Sequence, residues 1–170
     1  MLDRHKIPQH FTASAVVIER GHILLVHHKR IGAWVPPGGH LEPYEMPHEA
    51  CVREVFEETG LAVEVLSDPV PETGNKDAFF LKNPLGLHSV KAIEKGEACY
   101  HLDLIYLCRP LINKAVQLLP NGLPAPSSSD VSDVSKARWF NLDELEPVEL
   151  ALNVTEAIEL AKLKLRDFAR

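Results

Sequence analysis

The stretch GHLEPYEMPHEACVREVFEETGL, Gly39 to Leu61, carries most of what this chain discloses. A glycine turn leads into a predicted helix bearing Glu54, Glu57 and Glu58. At 3.6 residues per turn, offsets of three and four put these carboxylates within an arc of about 100°. Like charges so close repel one another, and a bound divalent cation is the simplest compensation. Hard cations such as Mg²⁺ take oxygen ligands and arrive with substrate phosphates. The other reading is a solvated acidic face on an amphipathic helix.

On a helical wheel Val52, Val55, Phe56 and Thr59 fall opposite the glutamates and form an apolar stripe for a core. Small Ala50 and Cys51 lie on or beside the acidic face, leaving room for a ligand. Arg53 has Glu49 and Glu57 one turn away on either side, so it can orient carboxylates through charge-assisted hydrogen bonds. Pro47 suits a first helical turn and Gly60 the stop.

These residues resemble the signature of the Nudix hydrolases: Gly, five residues, Glu, seven residues, then Arg-Glu-apolar-any-Glu-Glu-any-Gly-apolar. Gly39, Glu45, Arg53, Glu54, Val55, Glu57, Glu58, Gly60 and Leu61 occupy its fixed places without a departure. Trp34, Pro36, Pro37 and Gly38 look like the usual approach to it. Tyr44 stands where many members carry glycine. The resemblance implies an α/β fold, an α/β/α sandwich around a mixed sheet with the signature as loop–helix–loop. It implies Mg²⁺-dependent hydrolysis of a phosphoanhydride in a nucleoside diphosphate linked to another moiety, with Mn²⁺ as a substitute ion.

On this resemblance Glu54, Glu57 and Glu58 hold the metal, and the Gly38 carbonyl completes its shell. Glu54 acts as general base or shares a ligand role. Arg53 orients carboxylates, while Glu45, with Gly39 and Gly60, supports the loop. A further acidic ligand is expected from SSDVSDVSKARW, from Asp133 in preference to Asp130; a solvated turn aspartate is the competing reading. A homodimer is a family-based expectation.

Length and composition fit one compact domain over residues 1–170, and 45% hydrophobic with 25% charged residues is ordinary for a globular enzyme. A net charge of −6 argues against nucleic-acid polymers and anionic membranes as partners, so an anionic small molecule must be drawn in locally. Three cysteines without metal-ligand spacing suggest free thiols. The polar start MLDRHKIPQH and the lack of a long apolar run make the cytoplasm the default.

Phe11–Glu19 and His22–His28 read as a hairpin about Arg20-Gly21, Ala62–Leu66 as a strand, and Cys99–Cys108 as a central strand. Arg138–Phe140 is a short strand before a helical turn at Asp143-Glu144. Residues 147–170 have helical spacing of Leu150, Val154, Ile158, Ala161 and Leu165. Ser67–Glu97 and Pro120–Ser135 look like insertions; within the first, Asp77–Leu81 and Ser89–Ile93 are strand candidates. By resemblance, such regions shape the substrate pocket.

His101 and Asp103 share one sheet face in an apolar strand and need partners. They line the substrate pocket or satisfy neighbours in the core. Lys29 or Arg30 contacts a terminal phosphate or is simply solvated. Trp34 packs. The nine histidines are scattered, show no His-metal motif, and most are structural or exposed. Besides the hydrolase, two readings stand: a non-catalytic Nudix-fold nucleotide-binding or regulatory module, and a prenyl diphosphate isomerase-like enzyme. The attached base, sugar or coenzyme is not legible.

Overall fold

A computed structural model describes residues 7–113, 116–127, 133–146, 148–151 and 153–168. Asp130 lies outside them. Ten elements follow in chain order: β1 (Gln9–Glu19), β2 (His22–His28), β3 (Ala33–Val35), β4 (Gly38–His40), α1 (Pro47–Thr59), β5 (Val63–Leu66), β6 (Gly86–Glu94), β7 (Glu97–Pro110), β8 (Val134–Asn141) and α2 (Val154–Phe168).

The strands form one mixed sheet with β1 and β7 at its centre, paired in parallel from Gln9↔Tyr100 to Val17↔Cys108. The neighbouring pairings are antiparallel: β2 and β4 to β1, β5 and β6 to β7, and β3 and β8 to β2. The β1–β2 hairpin closes on Arg20 (φ 48°) and Gly21 (φ 72°), the left-handed pair that a tight hairpin turn demands.

Alternation along β1 assigns the layers. Ala13, Ala15 and Val17 pack with Ala50, Cys51 and Val55 of α1, whereas Val16 and Ile18 pack with Val154, Ala157, Ile158 and Ala161 of α2. The sheet is thus covered on both faces, the α/β/α arrangement expected. Trp34 packs edge-on against Phe140, ring centroids 4.7 Å apart.

The buried arc of α1 differs from the wheel reading. Ala50 and Cys51 are fully buried against the sheet and open no space for a ligand themselves, while Phe56 is exposed. The core-facing arc includes Glu58 itself, because the acidic side of the helix is turned inward toward the Gly38–Gly39 strand.

Asp77–Leu81 forms no strand. Its Asp77 N–H donates to the Asn75 side chain at 2.9 Å in a local turn, and Phe79 and Phe80 stay exposed. The Ser89–Ile93 strand is real and longer, joined to β7 through Lys95 (φ 50°) and Gly96 (φ 86°). The C-terminal helix begins at Val154, not near 147. Leu150 instead bridges to Trp34, because Trp34 N–H donates to Glu149 O at 2.8 Å and Ala151 N–H to Trp34 O at 3.0 Å. Those hydrogen bonds compete with the helix.

Candidate active site

Strand β4 sets the site. In register, Gly38 faces Ser14, Gly39 faces Ala13 and His40 faces Thr12. A Cβ on Gly38 would stand 2.5 Å from the Ala13 carbonyl oxygen, and one on Gly39 would stand 2.4 Å from Glu54 Oε1. Two bare residues therefore let β4 lie close on β1 and let the Glu54 carboxylate lie over the strand. Glu58 Oε2 accepts the Gly38 N–H at 3.0 Å. Both glutamates, rooted in α1, thereby reach a cavity of about 680 Å³ that opens beside β4.

Arg53 fixes this arrangement. Its Nε and Nη2 donate to the two oxygens of Glu45 at 2.8 and 2.9 Å. Nη1 donates to Glu54 Oε1 at 2.8 Å and Glu57 Oε2 at 3.1 Å, and Nη2 also reaches the His40 carbonyl at 3.0 Å. The partner on the N-terminal side is therefore Glu45, not Glu49. Glu49 is taken by the Met46 N–H at 2.9 Å, a donor that the first helical turn leaves orphaned. Glu45 in turn accepts the Glu42 N–H at 3.0 Å, and Tyr44 between them has φ 70°. A glycine fits that left-handed conformation without strain, which gives a physical reason for glycine at this place in relatives.

The carboxylates act on one another. Burial, with Glu54, Glu57 and Asp133 nearby, raises the Glu58 pKa to about 8 against the Gly38 hydrogen bond. Burial also raises Glu54, opposed by Arg53. Arg53 holds Glu45 below the usual carboxylate range. A divalent cation relieves both burial and repulsion, and donors that are all oxygen fit Mg²⁺.

Glu54, Glu58, Gly38, Asp133 and Arg30 line the cavity; Glu57, Arg53 and Lys29 do not. Glu57 sits on the flank, half exposed and paired with Arg53. Asp133 Oδ2 lies 3.0 Å from Arg30 Nη2, and its carbonyl accepts the Lys29 N–H at 2.8 Å.

His101 and Asp103 both face the cavity and are both satisfied by neighbours, so the two readings of that pair hold together. Asp103 accepts hydrogen bonds from Thr12 (2.9 Å) and Ser14 (2.7 Å) and meets His88 at 2.9 Å. The histidines are less scattered than their sequence positions. His10, His40 and His101 gather about Glu94, and His88 joins Asp103. In the first half of β1 every second residue (His10, Thr12, Ser14) is polar, a period-two signal that could have placed them on this face.

The NUDIX domain family profile matches residues 8–161. The chain belongs to the Nudix family. The chain is similar to a MutT-like protein of Streptomyces ambofaciens and to a candidate 8-oxo-dGTP diphosphatase of Bacillus subtilis (strain 168), each 47% identical over 53 residues. Those stretches cover 31% and 29% of this Nudix chain, and only 34% and 36% of the two relatives' own lengths. A Clostridium perfringens NUDIX family hydrolase superposes with a TM-score of 0.66 at 24% identity, covering 95% of this chain and 99% of that one. An ADP-ribose pyrophosphatase of Streptococcus suis superposes at 0.53, 24% identical, over 89% and 87%. The Nudix fold is thereby shown. Hydrolases of this family generally need a divalent metal ion.

Proposed function

We propose that the chain hydrolyses a phosphoanhydride bond in a nucleoside diphosphate derivative, with Mg²⁺ as the native ion. The observation that carries this is the joint reach of Glu54 and Glu58 along the Gly38–Gly39 strand into an open cavity also lined by Asp133 and Arg30. Glu54, Glu58 and the Gly38 backbone, with Asp133 from the facing loop, would hold the ion, and Glu57 adds negative charge from the flank. When bound, Mg²⁺ neutralises phosphate oxygens and makes a water more acidic.

The protein's own groups do the rest. Arg53 keeps Glu54 aimed, and Glu54 or Glu58 takes the proton of the attacking water. Arg30 offers a guanidinium to a substrate phosphate. Phosphoryl substitution asks for charge neutralisation and in-line placement more than for covalent help, which suits a cavity that sets carboxylates beside Arg30 and Lys91.

The test incubates purified protein with nucleoside triphosphates, nucleotide sugars, ADP-ribose, dinucleotide coenzymes and diadenosine polyphosphates, each with Mg²⁺, Mn²⁺ or EDTA. Metal-dependent cleavage of one class, abolished by Glu54→Gln and Glu58→Gln, is expected. Tight binding of a nucleotide without turnover under any metal would replace this reading by a binding module.

A further inference from the structure

His10, His40, Glu94 and His101 come from four strands, yet each brings one ligand atom to within 4.8 Å of all the others. Register explains the convergence. His10 faces His101 across the parallel β1–β7 ladder, and His40 enters from β4 opposite Thr12. The β6–β7 hairpin then folds Glu94 over them. Glu94 Oε1 lies 3.0 Å from His40 Nε2 and 2.7 Å from His101 Nε2, and Oε2 lies 3.0 Å from His10 Nδ1. The three imidazole centroids stand 5.0, 5.6 and 6.3 Å apart.

Three imidazole nitrogens and one carboxylate oxygen are the donor set of a tetrahedral zinc centre. With metal–ligand bonds near 2.0–2.1 Å, tetrahedral ligand atoms sit about 3.3 Å apart. The carboxylate–imidazole distances, 2.7–3.0 Å, are shorter than that by about 0.3–0.6 Å, two through Oε1 and one through Oε2, so an ion enters by opening these contacts and centring the four ligand atoms, which already lie within 4.8 Å of one another. Magnesium, which wants an octahedron of oxygens, is poorly served here. The cluster shares no ligand with the carboxylate site: His40 stands two residues beyond Gly38 on β4, and His10 precedes Ser14, the partner of Gly38, by four residues of strand, about 13 Å.

We infer that His10, His40, Glu94 and His101 form a second metal site, selective for zinc or a chemically similar late first-row divalent cation. His40, Glu94 and His101 also line the cavity. The ion ties β1, β4, β6 and β7 together at the end of the cavity away from Glu54 and Glu58, and it presents positive charge there. This assignment does not depend on the proposed hydrolysis.

The experiment uses the full chain without an affinity tag, stripped with chelator and dialysed into excess Mg²⁺. Zn²⁺ is titrated calorimetrically, bound metal is counted by mass spectrometry, and thermal unfolding is followed with and without Zn²⁺. One equivalent of Zn²⁺ and a raised Tm are expected. Cobalt in its place gives the intense visible bands of a tetrahedral ion.

His101→Gln should weaken binding beyond the about 10–100-fold that loss of an outer partner costs, and should bleach the cobalt bands. Glu54→Gln with Glu58→Gln should leave both intact. Should His101→Gln not fold, His10→Gln, at the start of β1, provides the same comparison. Zinc binding that survives either histidine change but disappears with the two glutamates, or no stoichiometric zinc in the wild type, overturns the assignment and leaves an imidazole–carboxylate hydrogen-bond network only.

Discussion

Gly39 lies so closely under Glu54 that a Cβ on the glycine would stand 2.4 Å from Glu54 Oε1 and 2.6 Å from its carboxyl carbon. The obstruction is the far end of a flexible side chain, so Gly39→Ala should fold with a displaced carboxylate. Activity should fall by at least about tenfold, since a displaced group of this kind loses catalytic geometry. At Gly38 the added Cβ instead meets backbone, at 2.5 Å from Ala13 O and 2.7 Å from Ser14 Cα. Gly38→Ala should therefore lose stability, by about 1–3 kcal/mol as for an overpacked core. Thermal melts beside initial rates separate the two; equal losses of stability would contradict the geometry.

Glu58 makes the metal-free protein sensitive to alkali. Its folded pKa, about 8, exceeds the ordinary 4.5, chiefly through burial. The folded state thus binds more protons than the unfolded state between those values. This stabilising contribution is full below about pH 4.5 and is lost as pH rises through about 8, a change on the order of a few kcal/mol. In EDTA the Tm should fall across this range, and Glu58→Gln should flatten the profile. Added Mg²⁺ should restore stability at the alkaline end. A wild-type Tm that is flat in EDTA would show that the carboxyl is not strained by its surroundings.

Arg53→Lys keeps the charge but cannot span Glu45, Glu54, Glu57 and the His40 carbonyl at once. A guanidinium fork and an ammonium point charge are not interchangeable at such a site. Stability should drop by about 1–3 kcal/mol, as for charge-assisted bonds at a largely buried group, and kcat should drop more than KM rises. Unchanged kcat would remove Arg53 from the control of Glu54.

Arg30 and Asp133 form an exposed pair, with side-chain exposures of 56% and 45%. Such pairs contribute about 0–1 kcal/mol, so Arg30→Ala should barely alter the Tm. Its expected effect is a raised KM, because Arg30 lines the cavity. A large loss of stability with an unchanged KM would reverse that assignment.

The spacing of Glu54, Glu57 and Glu58, the Pro47 start and the Gly60 stop are local properties, settled by helical geometry and backbone preference, so the sequence alone determined them. The central strand and the first hairpin were equally legible, because apolar runs and a left-handed turn pair are written in adjacent residues. Which side of α1 is buried was not: the wheel put Phe56 in the core and Ala50 and Cys51 beside a ligand, yet Phe56 is exposed, Ala50 and Cys51 are buried, and Glu58 turns inward over Gly38, whose bare backbone leaves room for it. Helical spacing pointed Arg53 to Glu49, but Glu49 caps the Met46 N–H, and the partner is Glu45 from the preceding loop, which no helical spacing reaches. The tertiary structure also gathered His10, His40, Glu94 and His101, residues far apart in the chain. Their meeting depends on the parallel β1–β7 register and on the Lys95–Gly96 turn, and no local preference encodes which residues a ladder sets side by side.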